Sequence, residues 1–281
     1  MPARTFSVFR VLLILGLLLF ATACSNNVRL DAAETMPADA LYAEAKRSLD
    51  DESYDRAVKF YQRLVARFPY GTYHEQGQID LAYALYERDK HDEALSAANR
   101  FIKLYPTHSR IDYAYYLRGL INFNRQAGFL ERYFRSDLTR RDLQYIRQSF
   151  QDFNELVEKF PQSSYAPDAR QRMIFLRNGL AQGEIMVASY YLRRGAWVAA
   201  AQRAKFVLET YQEAPQTGDA LAIMTESYTR LGQAKLAADA SRVLKQNYPE
   251  HPYFAGNWPA KRSLWRQLNP FSNDVAPAKG G

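Results

Sequence analysis

The sequence predicts an all-α fold, an α-solenoid of five stacked helical hairpins. The first observation behind this is an internal repeat, since small, apolar and proline residues recur 37 residues apart. The first copy holds them at Ala45, Ala57, Leu64 and Pro69, and the second copy at Ala82, Ala94, Phe101 and Pro106. The second observation is that apolar residues within each copy follow the spacing of an amphipathic helix. The third is the proline, which stops a helix because it lacks an N–H and its ring clashes with the preceding turn.

The spacing continues along the chain and defines five hairpins, which lie at about 38–70, 75–107, 112–162, 166–214 and 217–250. A repeat of this size stacks on its neighbours to bury its apolar face. The third hairpin holds 18 extra residues between Gly119 and Ser149, and 14 extra residues precede Ala188. Fourteen residues make about four helical turns, and 168–193 contains no proline. We therefore expect a long first helix in the fourth hairpin.

Residues 1–23 have the pattern of a secretory signal peptide. Arg4 and Arg10 give a basic start, and ten apolar residues follow, too few to span a bilayer. Small residues then lead to Cys24, the only cysteine, which cannot form an internal disulfide. This placement resembles a bacterial lipobox, although Ala21 stands where leucine is usual. The resemblance implies lipidation of Cys24. The alternative is an ordinary signal cut elsewhere, which would leave a free thiol.

Residues 24–37 are polar, lack a helical period and predict a lipidated tether. By resemblance to bacterial lipoproteins, Ser25 after the cysteine implies the periplasmic face of the outer membrane. Asp39 is expected to be the N-cap of the first helix. At the other end, residues 253–281 are expected to form a C-terminal cap and a flexible tail, because the last repeat of a solenoid needs a cap. The alternative for the basic amphipathic stretch within 253–268 is a membrane-binding helix.

Composition favours a binding scaffold over an enzyme. The net charge is +7, and no basic run in the repeats is longer than Arg140-Arg141, so we expect no nucleic-acid partner. The four histidines lie in or beside turns without metal-ligand spacing, and no phosphate loop follows a strand. With Cys24 assigned to lipid, no nucleophile and base stand out. We expect no catalytic residues, metal or cofactor.

Two segments carry unusual side chains. The insertion at 124–141 combines several apolar and aromatic residues with five arginines, so it either folds back on the solenoid or meets a partner. In the fourth hairpin, Gly195 is expected to make the turn and Trp197 to pack at the hairpin tip. Tyr190 and the arginines nearby are too many large groups for one core face, so some of them are expected to point outward.

The period, the small residues and the closing proline resemble the tetratricopeptide repeat, although each copy here is longer than its 34-residue unit. Together with the lipobox, three stretches closely resemble the BamD family, lipoprotein subunits of the β-barrel assembly machinery of Gram-negative bacteria. These stretches are FPYGTYHEQGQIDLAYALY at 68–86, PTHSRIDYAYYLRGL at 106–120 and RRGAWVAA at 193–200. The resemblance covers about residues 20 to 250.

The resemblance implies a scaffold that binds the periplasmic domains of BamA, other lipoproteins of the machinery and unfolded outer-membrane β-barrel proteins. The residues assigned to BamA are Arg203, Arg194 and Trp197. The residues assigned to the nascent barrel proteins are Phe68, Tyr70, Tyr73, Gln76 and Tyr190. Two alternatives remain: a tetratricopeptide lipoprotein that recruits peptidoglycan-modifying proteins, and an enzyme with a site that no motif reveals.

Overall fold

A computed structural model describes residues 34–125, 140–256 and 258. Within these ranges the regular elements are helices and there is no strand, which confirms the predicted all-α class. In chain order the ten helices of the described ranges are α1 Ala38–Asp50, α2 Tyr54–Arg67, α3 Thr72–Glu87, α4 His91–Leu104, α5 Ile111–Asn124, α6 Arg140–Lys159, α7 Ala166–Arg193, α8 Trp197–Thr210, α9 Thr217–Arg230 and α10 Ala234–Asn247.

The chain divides into two compact units within α5. The N-terminal unit ends at Leu117 and the C-terminal unit begins at Arg118. In the N-terminal unit α1 packs on α2, α2 on α3 and α3 on α4. The repeated small residues lie at these contacts and are fully buried: Ala45, Ala57, Ala82 and Ala94. Because a methyl group lets two backbones approach closely, the small residues set the spacing of the helices, as the repeat predicts.

In the C-terminal unit α7 packs against both α6 and α8, and the pairs α8–α9 and α9–α10 follow. Helix α7 is 28 residues long, twice the length of α8. This confirms the prediction that the additional residues of the fourth hairpin lengthen its first helix. Ala188 on α7 and Ala200 on α8 are fully buried, so the long helix keeps the repeat register where it meets its partner.

The third hairpin makes the closest helix contact at its two small positions. A Cβ atom placed on Gly119 would lie 2.5 Å from Cε1 of Phe153, which is fully buried. The Ser149 hydroxyl donates a hydrogen bond of 3.0 Å to the backbone carbonyl of Gly119. Side chains of ordinary size would separate α5 from α6, so this pair of helices depends on glycine and serine.

The turn inside a hairpin places one residue in the left-handed region. Glu52 and Asp89 hold this position in the first two hairpins, with φ of 56° and 55°. Gly195 and Gly232 hold it in the last two, with φ of 73° and 70°. Gly195 therefore makes the turn as predicted. Only glycine adopts this conformation without steric cost, so the first two turns are the more strained.

The first helix begins differently from the expectation. Pro37 is the N-cap of α1 and makes no side-chain cap, whereas Asp39 lies inside the first turn. The carboxylate of Asp39 still contributes there, because a negative charge near a helix N-terminus interacts favourably with the helix dipole.

Several predicted features lie outside the described residues. They are the signal peptide, Cys24 and most of its tether, the bulk of the 124–141 insertion, and the tail beyond Trp258. Of the expected C-terminal cap, Tyr253 and Trp258 pack on a cluster of Leu221, Ala222 and Leu244, and the Trp258 indole donates a 2.7 Å hydrogen bond to Asp219. No helix in the described ranges is long and apolar enough to cross a bilayer.

Candidate protein-binding surfaces

A buried carboxylate organises the polar centre of the N-terminal unit. Asp80 on α3 has only 6% of its surface exposed. It accepts hydrogen bonds from the Tyr42 hydroxyl of α1 at 2.9 Å and from the Gln76 amide at 3.1 Å. The guanidinium of Arg110, just before α5, also donates to it at 2.9 Å. Asp80 therefore ties together α1, α3 and the start of α5, the first helices of three successive hairpins.

Aromatic rings surround this carboxylate. The Tyr42 ring lies 5.5 Å from that of Tyr73 and 6.0 Å from that of Tyr61, between ring centroids. The Arg110 guanidinium lies 4.8 Å from the centre of the Tyr113 ring. Tyr61 is fully buried and Tyr42 is half-buried, while 44% of Tyr73 is exposed. The result is a packed group of tyrosine rings, in which Tyr73 is the most exposed of the three. We call Tyr42, Tyr73, Gln76, Asp80 and Arg110 the tyrosine site.

The electrostatics keep these phenols neutral. Burial raises the pKa of Tyr42, and the charge of Asp80 and its hydrogen bond raise it further. Burial also raises the pKa of Tyr61, with the charge of Asp80 adding to it. The hydroxyl of Tyr61 is buried and has no hydrogen-bond partner among the described residues. The site therefore offers apolar ring faces and neutral hydroxyl groups around one shielded negative charge.

The structure brings together only part of the set assigned to substrate. Tyr73 and Gln76 belong to the tyrosine site. Phe68 is half-buried, with the Arg67 guanidinium 5.0 Å from its ring centre. Tyr70 lies in the connection between α2 and α3 and is 89% exposed. Tyr190 is on α7, in the other unit, and 48% of it is exposed.

Replacing Asp80 by asparagine is expected to destabilise the N-terminal unit by about 1–3 kcal/mol. The change leaves Arg110 without its carboxylate and replaces a charged acceptor to which three side chains donate. The cost is limited because 36% of the Arg110 side chain is exposed and solvent screens the pair. Urea denaturation measures the change. Asp55→Asn is the matched control, since that carboxylate is 70% exposed in its pair with Arg88. Equal stability of the two variants would contradict an organising role for Asp80.

In the C-terminal unit Arg203 has an internal partner. Its guanidinium on α8 lies 3.0 Å from the carboxylate of Glu184 on α7. The Glu184 side chain is 10% exposed, whereas that of Arg203 is 49% exposed. A guanidinium carries five N–H donors, so the exposed half of Arg203 can still donate hydrogen bonds to a carboxylate of a partner protein. Burial raises the pKa of the neighbouring Tyr211, and the charge of Glu184 contributes to that rise while Arg147 opposes it.

Arg194 and Trp197 each belong to a cation–aromatic pair. The Arg194 guanidinium lies 5.5 Å from the centre of the Tyr190 ring. The Arg230 guanidinium of α9 lies 5.7 Å from the centre of the Trp197 ring. Trp197 also lies beside the Gly195 turn, where its ring is 3.6 Å from the position of an added Cβ, as expected for packing at the hairpin tip.

A second buried carboxylate joins α5 to α6. Asp152 is 3% exposed and lies 3.0 Å from the Arg118 guanidinium, and the Asn122 amide donates to it at 2.6 Å. Burial raises the pKa of Asp152, although the Arg118 charge and the hydrogen bonds counteract it. Arg118 also pairs with Glu155. These polar groups pair with one another across α5 and α6. We therefore assign them a role in stabilising the third hairpin.

Sequence reasoning did not identify Tyr42, Asp80, Arg110 or Glu184. Asp80 lies within 77–82, a stretch that the structure shows to be buried throughout. A charged residue inside such a stretch must be paired, because an unpaired buried charge is too costly. Within the described ranges, no group of three or more His, Cys, Asp or Glu residues could hold a metal ion.

Comparisons with known proteins agree with this architecture. The family model YfiO, described as an outer membrane lipoprotein, matches residues 34–244. A protein of Xylella fastidiosa (strain 9a5c) named outer membrane protein assembly factor BamD is 43% identical over 268 residues, which cover 95% of this chain and 92% of that protein.

Proteins of the same name from other bacteria are also similar. The one from Neisseria meningitidis serogroup A is 43% identical over 90% of this chain and 96% of its own length. The one from Vibrio cholerae is 34% identical over 80% of this chain and 92% of its own length. Both the family model and these relatives span the helical repeats. The chain therefore belongs to the BamD family of outer membrane lipoproteins, as its repeats and motifs predict.

Proposed function

We propose that the chain is a scaffold for the assembly of outer-membrane β-barrel proteins. In this proposal the N-terminal unit holds an extended segment of the incoming protein, and the C-terminal unit docks on the periplasmic domains of BamA. The name carried by the relatives, outer membrane protein assembly factor, supports the general role. Binding of BamA, of other lipoproteins of the machinery and of nascent chains is the finer part of the proposal.

The observation that carries the substrate part is the tyrosine site. Unfolded barrel proteins present strands rich in aromatic and apolar side chains, with backbone groups that are not yet paired. Tyrosine gives a large contact area at low entropic cost and adds a hydroxyl for hydrogen bonds. Because Tyr42 and Gln76 are held by the buried Asp80, the surface is pre-organised and loses little freedom on binding. Tyr73 offers the ring face on which such a segment stacks.

The BamA part rests on the surface of α7 and α8. Arg203, Arg194 and Tyr190 are exposed there, and Arg230 covers one side of Trp197. Arginine and aromatic residues dominate the energetics of protein interfaces. Glu184 holds Arg203 in place, which lowers the entropy lost when Arg203 meets a carboxylate of the partner.

Attachment through Cys24 completes the proposal. The chain is exported, its cysteine is acylated, and residues 25–37 tether the helical units to the periplasmic face of the outer membrane. Two or more acyl chains anchor a protein stably, whereas one holds it only marginally. The scaffold is thus kept at the membrane into which its substrates are inserted.

Tyr73→Ala is expected to weaken binding of a peptide that copies the final strand of an outer-membrane barrel by about ten-fold. This corresponds to about 1.4 kcal/mol, within the range of an aromatic contact residue. Fluorescence anisotropy of the labelled peptide measures the affinity. Phe206→Ala is the matched control, because Phe206 is 40% exposed on α8 and lies outside the proposed site. If Tyr73→Ala binds the peptide as the parent chain does, the tyrosine site is not the substrate site.

A further inference from the structure

We propose that one end of the N-terminal unit is a membrane-contact surface, which binds an anionic phospholipid bilayer through Tyr70, Arg100, Lys103 and Leu104. We call these four residues the tether-end patch. The proposal rests on the acylation of Cys24 in the proposed function and adds a second, direct contact with the lipid. It assigns Tyr70 to the membrane instead of to the substrate.

The hairpin geometry places the patch at one end of the unit. Short connections join α1 to α2, α2 to α3 and α3 to α4, so consecutive helices run antiparallel. The C-terminal ends of α2 and α4 therefore lie at the same end as the N-terminal end of α1. Val65 of α2 and Arg100 of α4 line the same cavity, which has a volume of about 530 Å³.

The tether enters at this same end. Glu34, four residues before α1, forms a 2.6 Å ion pair with Arg63 in the second half of α2. Nine residues, 25–33, lie between Cys24 and Glu34, so the two are ten residue steps apart. A chain of ten residues spans at most about 35 Å, which bounds the distance between the acylated cysteine and Glu34. The patch thus lies at the end of the unit where the tether joins the fold.

The apolar residues of the patch depart from the repeat. Leu104 is the last residue of α4 and is 54% exposed, and Tyr70 follows Pro69 and is 89% exposed. The residues that close α2, α6, α8 and α10 are all polar, namely Arg67, Lys159, Thr210 and Asn247. The residues equivalent to Tyr70 in the other hairpins are polar as well, namely Thr107, Gln162, Glu213 and Glu250. Both departures occur in the first two hairpins, where the tether joins the fold.

The charges of the patch suit an anionic surface. Arg100 and Lys103 are both exposed on the last turns of α4. The helix dipole alone favours cations at a helix C-terminus, but it gives no reason for an exposed leucine and tyrosine at the same end of the unit. Basic residues together with a tyrosine and an aliphatic side chain are the composition of surfaces that lie in the membrane interface. Each basic residue near an anionic bilayer raises the affinity about five-fold.

Binding of the patch need not be strong. The acyl anchor holds the patch near the bilayer, so its contact with lipid is an intramolecular event at high effective concentration. A weak contact of this kind orients the N-terminal unit without fixing the protein more firmly to the membrane. It leaves the exposed ring of Tyr73, on the first turn of α3, to the substrate.

The experiment uses the chain from Ser25 onward, which cannot be acylated and keeps every described residue. It is sedimented with vesicles of phosphatidylethanolamine and phosphatidylglycerol, and with neutral phosphatidylcholine vesicles. The double variant Arg100→Gln/Lys103→Gln is expected to bind the anionic vesicles about 25-fold more weakly, since two basic contributions are lost. The matched control is Lys235→Gln/Lys245→Gln on α10, expected to bind as the parent does. An equal loss in both double variants would show unspecific charge attraction and overturn the proposal.

A second measurement separates lipid from substrate. Tyr70→Ser is expected to weaken vesicle binding and to leave the affinity for the barrel peptide unchanged. If instead it weakens peptide binding and leaves vesicle binding intact, Tyr70 is a substrate residue and the membrane proposal fails. Failure of the proposed function has a different signature, because Tyr73→Ala would then leave peptide binding unchanged while the vesicle results stand.

Discussion

Replacing Arg203 by glutamate is expected to abolish co-purification of the chain with BamA. The substitution reverses the charge that the proposal pairs with a carboxylate of BamA, and truncating one member of a desolvated interface pair already costs about 2–5 kcal/mol. It also places a second carboxylate beside Glu184, whose side chain is 10% exposed. The measurement is affinity purification of the tagged chain from detergent-solubilised envelopes, with circular dichroism to show that the helices persist.

Two variants distinguish docking from internal damage. Lys205→Glu reverses a charge two residues away on α8, where the lysine pairs with Glu209 and is 59% exposed, and it is expected to retain BamA. Glu184→Gln removes the internal partner but keeps the Arg203 charge, so it is also expected to retain BamA. If Glu184→Gln loses BamA to the same extent, Arg203 acts through its internal pair. Unchanged recovery with Arg203→Glu would exclude this residue from the interface.

Replacing Gly119 by alanine is expected to destabilise the third hairpin by about 1–3 kcal/mol, the usual range for an overpacked core. The direction of this change in stability is informative, because alanine in place of glycine within a helix normally stabilises by about 1 kcal/mol. Here the new methyl group would meet the Phe153 ring at 2.5 Å. Phe153 is fully buried, so its flat ring cannot move aside. Thermal denaturation is expected to show a Tm several degrees lower.

The compensating change tests the cause. Phe153→Leu removes the ring that the methyl group meets, so Gly119→Ala is expected to cost much less in that background than in the parent chain. Two residues in direct contact show such non-additivity, whereas independent sites do not. Additive losses in the double variant would mean that Gly119 matters for a reason other than its contact with Phe153.

The helical architecture could be predicted because its signals are local. The recurrence of Ala45 as Ala82, and of Pro69 as Pro106, specifies where helices pack and where they stop. The absence of proline in 168–193 was enough to predict the long helix α7. The prediction of Asp39 as the N-cap of α1 was wrong, because Pro37 holds that position. Both residues stand at plausible positions in the sequence, and the choice between them depends on the backbone just before α1.

The tyrosine site could be predicted only in part. Tyr73 and Gln76 belong to the set that was assigned to the substrate in the first two hairpins. Tyr42 and Asp80 are 38 residues apart in the chain, and nothing in either neighbourhood indicates that they share a hydrogen bond. Arg110 lies a further 30 residues on. Their meeting depends on how the first helices of three successive hairpins stack.

The helices, their order and the small residues at their contacts follow from the residues alone, because helical period and proline act within one repeat. The pairing of Arg203 with Glu184 and the three segments that donate to Asp80 became visible in the folded arrangement. The reason is physical: periodicity states which side of its own helix a residue occupies. The partner of that residue depends on the rotation and shift of a neighbouring helix, which the packing of whole side chains sets.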